Sequence, residues 1–171
     1  MSGLAETRRA GGENETGSGR RSERSVTDLD EILDVFARDA AGHMAGPPAT
    51  EQDLQDLERA IGLQLPGSFR KFLARFGGGL FYKGHEIFGP LRTMIHDIEM
   101  VPSLGVMCTL VHPPEIPAGV VPFHRSGDRL HLFDLRDPAW PERIVSSPYG
   151  ATYPDLASFL RAVVLPATAG R

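Results

Sequence analysis

The sequence is poor in the features that mark secreted, membrane-spanning or nucleic-acid-binding chains. Cysteine occurs once in 171 residues, at Cys108. That excludes an intramolecular disulfide and a cysteine-rich zinc site, and points to a reducing, cytoplasmic setting. No apolar run approaches the 18 or so residues of a membrane helix, and Met1 to Gly12 are too polar for the apolar core of a signal peptide. There is no basic excess: 18 Lys and Arg stand against 22 Asp and Glu, a net charge of -4. General attraction to phosphate backbones or anionic lipid is therefore absent, and neither nucleic acid nor membrane is expected as a direct partner. Catalytic signatures are missing too. There is no His-Glu-x-x-His helix, no Gly-x-Ser-x-Gly elbow, no phosphate-binding P-loop and no Gly-x-Gly-x-x-Gly.

What is present suits one domain with a tail. Hydrophobic residues make up 41% of the chain, enough for a core. Residues 1–25 are almost all Gly, Ser, Glu and Arg, with Arg8, Arg9, Arg20, Arg21 and Arg24 set against Glu6, Glu13, Glu15 and Glu23. Burial has little to offset the entropy of ordering such a segment, so it reads as a disordered, solvated tail. The domain is expected over 26–165, with 166–171 as a short C-terminal tail.

Leu29, Ile32, Leu33, Phe36 and Ala40 recur at helical spacing, with Thr27 and Asp30 as a capping box and Gly42 as the stop. A second helix is announced by Thr50 and Asp53, buries Leu54, Leu57 and Ile61, and ends at Gly62. A third opens at Leu65-Pro66, carries Phe69, Phe72, Leu73 and Phe76 on one face, and closes at Gly77-Gly78-Gly79. The glycine run follows a helix, whereas a phosphate cradle precedes one, so it is a helix stop and not a nucleotide loop.

Strand texture follows. Leu80 to Tyr82 and His85 to Phe88 flank a Lys83-Gly84 turn, and Val120 to His124 and Leu130 to Leu135 flank a turn at 125–129. Residues 92–104 read as a short helix ending at Pro102. A strand over Arg143 to Ser147 and a helix over about 154–164 complete the chain. Helices, then strands, then a helix imply an α+β fold with a mainly antiparallel sheet, because parallel crossovers would require alternation.

The block Leu57-Glu58, Ile61-Gly62, Leu65-Pro66, Phe69-Arg70, Phe72-Leu73, Gly77-Gly78-Gly79 and Ile87-Phe88-Gly89 resembles the SUKH superfamily. Its members include bacterial immunity proteins against polymorphic toxins and fungal regulators of glucan synthesis. Ile116-Pro117, Val120 to Phe123, Gly127-Asp128, Leu132 to Leu135 and Ser158-Phe159-Leu160 follow the same order more loosely, so the likeness spans roughly 48–165. Two departures stand out: Gly77 takes the place of a usual Asn, and the frequent Trp within the sheet is missing. The resemblance implies helices packed around a central sheet, no catalysis, no cofactor, and a protein partner. That partner would be a toxin such as a nuclease or deaminase, or a wall-synthesis or signalling protein in the regulatory alternative.

Candidate binding residues come from charge and from anchor chemistry. Residues 26–100 hold 12 acids and 7 bases, whereas 101–171 hold 6 of each. The acidity thus lies on the helical half, where Asp30, Glu31, Asp34 and Asp56 are expected to point outward and attract a basic partner. Trp140 and Tyr149, in Pro- and Gly-rich sequence, are either interface anchors or lids folded onto the core. Cys108 sits in an apolar run that should bury it and raise its pKa. The lesser alternative is a metal-dependent hydrolase, with His124, His131 and Asp134 as ligands brought together by the hairpin.

Overall fold

The computed structural model describes residues 19–82, 84–95, 98–110, 116–147 and 150–165. Residues 1–18 of the expected N-terminal tail and the 166–171 tail lie outside the described residues. Helix α1 runs Gly19–Arg38 and buries Leu29, Ile32, Leu33 and Phe36, the stripe given by the spacing. It starts eight residues before Thr27, so the Thr27–Asp30 pair lies inside the helix instead of capping it, and the helix crosses the boundary drawn at residue 25. Arg and Glu are good helix formers, and a helix already anchored over 29–36 extends without a fresh nucleation cost. Ala40, expected on the buried stripe, is exposed in a 3-10 turn, Ala40–Gly42.

Helix α2, Glu51–Ile61, has the expected capping box at Thr50 and Asp53, and ends on Gly62 in the left-handed conformation. Helix α3, Gly67–Phe76, buries Phe69, Phe72, Leu73 and Phe76 and ends on left-handed Gly77. Its N-cap is Pro66, whose side chain accepts no hydrogen bond; the Glu142 carboxylate, from a distant loop, receives the Ser68 N–H at 3.2 Å instead.

Seven strands make one antiparallel sheet in the order β1-β2-β3-β6-β7-β8-β9. They are β1 His43–Ala45, β2 Gly79–Phe81, β3 His85–Ile87, β6 Val120–Ser126, β7 Arg129–Asp134, β8 Ile144–Ser147 and β9 Thr152–Tyr153. Between β3 and β6, residues 92–104 do not form the expected helix. They form the hairpin β4 Thr93–Ile95 and β5 Ile98–Val101, and helix α4, Leu104–Leu110, begins only after Pro102. β-Branched Thr93, Ile95, Ile98 and Val101 favour strand, and Ser103 supplies the start of α4 by accepting from the Val106 and Met107 N–H groups.

The chain closes with α5 Leu156–Phe159, which widens into a π turn, Leu160–Val164. Helices α1, α3 and α5 pack on one another over the sheet. Phe69 of α3 and Phe159 of α5 meet Phe123 of β6, with ring centroids 5.5 and 5.2 Å apart. A register shift between Pro122 and His124 lets two consecutive residues, Phe123 and His124, both reach Phe159.

Candidate functional site

The residues that carry the SUKH resemblance are engaged in the architecture. Glu58 of α2 accepts the Leu65 N–H at 2.9 Å and pairs with Arg70 of α3 at 2.6 Å, closing the loop between the two helices. Beyond α3 the glycine run meets two other backbone segments, 44–47 and 87–89. A Cβ on Gly77 would lie 1.8 Å from the Pro47 carbonyl oxygen, one on Gly79 2.3 Å from that of Met44, and one on Gly89 1.6 Å from that of Gly77. Gly77 and Gly79 also have positive φ, which L-residues with side chains rarely adopt. No other residue fits where β1, β2 and the end of β3 converge.

The acids proposed as a binding face have partners. Asp30 pairs with Lys71 at 2.5 Å and Asp34 with Arg75 at 2.7 Å, tying α1 to α3, while Asp56 takes Arg59 at 2.8 Å on its own helix. Glu31 is exposed. Trp140 lies in the loop between β7 and β8 with 42% of its surface exposed, so it is no core lid. Tyr149 lies outside the described residues. The structure adds side chains that periodicity did not single out: Met44 of β1, Leu91, Met94 and Ile98 of the β4–β5 region, and Val106 and Leu110 of α4 are large, apolar and exposed. Their elements adjoin, since a Cβ on Gly46, just after β1, would touch Thr93, β5 packs on β2, and the Leu104 N–H donates to the Gly89 carbonyl. The signal available in the sequence was the set of apolar residues left over once the helical and strand stripes were assigned.

The histidines behave differently from the expected ligand set. The antiparallel register places His124 opposite His131, with their Nδ1 atoms 2.9 Å apart. The third member is His85 of β3, whose Nδ1 lies 3.1 Å from His124 Nε2. Asp134 is not among them. At the far end of β7 it accepts from Arg136 at 2.7 and 2.9 Å and from Arg143, which holds its carboxyl well below the usual carboxylate range. The hydrolase alternative loses its carboxylate ligand on this geometry. The histidine nitrogens face one another rather than a common centre, and among the described residues no group of three or more metal-ligating side chains converges.

Burial lowers the pKa of all three rings. His124 is held well below its ordinary value, with its two neighbours adding to the effect of burial; His131 falls to about 4, with Arg129 and His85 as further causes. Cys108 on α4 is half-buried, and burial pushes its thiol up to about 11, as expected of an inert cysteine. Among the described residues, no helix is long and apolar enough to cross a membrane.

Helices packed on an antiparallel sheet, with the glutamate and glycines of the motif used as structural ties, define an α+β module of the SUKH kind. The model of the SMI1/KNR4 family (SUKH-1) matches residues 48–161, and the chain belongs to that family. Members of the family are in general non-catalytic binding modules. No match to the chain was found among curated proteins.

Proposed function

We propose that this chain is an immunity protein: a non-catalytic, cytoplasmic module that neutralises a cognate protein toxin by stoichiometric occlusion. The observation that carries the reading is the family match over residues 48–161, together with the engagement of its motif residues in holding the fold. A module of this kind leaves recognition to the surfaces around that frame. On those surfaces the exposed apolar side chains Met94, Ile98, Leu110 and Trp140 supply the anchors, since interface energy concentrates in a few large side chains that become buried.

The acidic helices supply steering. A toxin acting on nucleic acid, such as a nuclease or deaminase, holds phosphates in a basic groove, and a negative surface is drawn to it. Because Asp30, Asp34 and Asp56 are ion-paired, Glu31 contributes more per residue than they do.

The second reading is a regulatory scaffold, as in the fungal branch of the superfamily; the Arg- and Ala-rich composition, typical of GC-rich bacterial coding, favours immunity. A toxin gene directly upstream separates the two. Co-expression of its product with this chain should yield a complex that survives purification and protects the host cell. Ile98→Asp, at a position 64% exposed, should weaken that complex at least about ten-fold without lowering stability. A neighbouring toxin that neither binds nor is neutralised would remove the immunity reading.

A further inference from the structure

His85, His124 and His131 come from three adjacent strands and form one chain of imidazoles through contacts of 3.1 and 2.9 Å. Each nitrogen–nitrogen contact holds one proton, so three neutral rings have two arrangements. In the first, His131 donates from Nδ1 to His124, His124 donates from Nε2 to His85, and the remaining nitrogens are a lone pair on His131 Nε2 and an N–H on His85 Nε2. In the second, each proton moves one place along and the two ends exchange roles. A donor at one end therefore always accompanies an acceptor at the other.

Both end rings line one cleft of about 410 Å³ beside β9, which also receives Arg129, Ser126, Ser146 and Tyr153. No carboxylate is among the described residues lining it. The remaining charged neighbours cancel in pairs: Glu86 with Arg125 on β3 and β6, and Asp28 with Arg161 on α1 and the π turn. Asp128 precedes Arg129 in the turn. Phe159 covers His124 and His131 from the helix side, with ring centroids 5.0 and 4.8 Å away. His124 itself has 0% exposure. Arg129 acts electrostatically on His131 and opposes a positive charge there, which favours the lone pair at that end of the cleft.

We propose that this cleft is a binding site for a carboxylate, taken up together with one proton by the three-histidine chain. The carboxylate accepts from Arg129, from the serine hydroxyls and from the His85 N–H. A proton from solvent then occupies the His131 Nε2 lone pair, so that both ends of the chain donate. The single charge of the ligand is matched by that proton, and Arg129 adds a charge-assisted donor beside the interactions it already makes. The site stands apart from the immunity reading, because nothing in it depends on the toxin.

The test uses the intact protein and sodium acetate, with sodium chloride at equal ionic strength as the control, and follows the imidazole nitrogens by NMR. Acetate should shift the His85 and His131 signals saturably. Its affinity should rise as pH falls from 8 to 6, by up to about ten-fold per unit where a full proton is taken up. Arg129→Gln, at an exposed position, should abolish the acetate response and leave the Nδ1–Nδ1 proton between His124 and His131 in place. His85→Asn should weaken binding, and His131→Asn, which removes the nitrogen that takes up the proton, should remove its pH dependence.

A capped glutamate peptide run alongside identifies the source. Binding tighter than acetate supports the proposal with a partner's side chain as the ligand, and binding equal to or weaker than acetate supports it with a free carboxylate. Shifts no larger than those given by chloride, or an acetate affinity independent of pH, would overturn it.

Discussion

The two halves of the sheet use their polar groups in opposite ways. On the β1–β3 side, the Glu58 carboxylate and the glycines after α3 close backbone against backbone, and little is left for a ligand. On the β6–β9 side, buried His124 and His131 and half-buried His85, reaching over from β3, join through their ring nitrogens beside a cleft that opens to solvent. Steric fit marks the first half, and hydrogen bonding between imidazoles marks the second. The motif by which the family is recognised therefore reports on the frame, and the proposed carboxylate cleft is lined by residues outside it.

The largest effect should come from the frame. Gly89→Ala places a methyl 1.6 Å from the Gly77 carbonyl oxygen, and the variant should lose more than about 4 kcal/mol, leaving it largely unfolded at room temperature. Gly67→Ala, with nothing within 4 Å, should hold or slightly raise the melting temperature, so circular dichroism melts of the pair test whether contact or glycine content is responsible.

Next comes the core that joins the halves. Phe69 is fully buried against Phe123 and Phe133, and Phe69→Ala should cost roughly 3 to 5 kcal/mol in denaturant unfolding.

Acid should act on the histidine half. The folded pKa values of His85, His124 and His131 lie below the unfolded value of about 6.5, so the unfolded chain binds protons first. The stabilisation is complete above about pH 6.5 and is lost as pH falls towards about 4, the folded value of His131. Unfolding at pH 7 and pH 5 should differ by on the order of 2 kcal/mol, and His131→Asn should reduce the difference. Equal stability at the two pH values would mean that the rings are not buried together.

The smallest effect belongs to the surface. Asp30→Asn and Asp34→Asn break exposed ion pairs and should each change stability by less than about 1 kcal/mol.

The same division explains what could be read in advance. Helices α2 and α3 and the β6–β7 hairpin are long or strongly patterned, and their caps and turn residues stand beside them in sequence. β1 and β9 are three and two residues long, and exist because β2 and β8 offer edges to pair with, which no local pattern announces. In the β4–β5 hairpin the alternation is too brief to outweigh a helical reading.

At the site, the approach of His124 to His131 follows from antiparallel pairing. His85 arrives from 39 residues before His124, and Asp134 is held away by Arg136 and Arg143. The acids were legible as outward-facing. Their neutralisation was not, because Lys71 and Arg75 reach them from another helix.

The proposed immunity role requires this SMI1/KNR4-family chain to occupy its partner without altering it. Where a toxin gene lies directly upstream, titrating its purified product with the protein while following toxin activity tests that most directly. Inhibition should reach completion at about one equivalent, as tight non-covalent association requires, and toxin recovered from the complex should regain full activity with unchanged mass. Complete loss of toxin activity at a small fraction of an equivalent, or a recovered toxin with altered mass, would contradict the account.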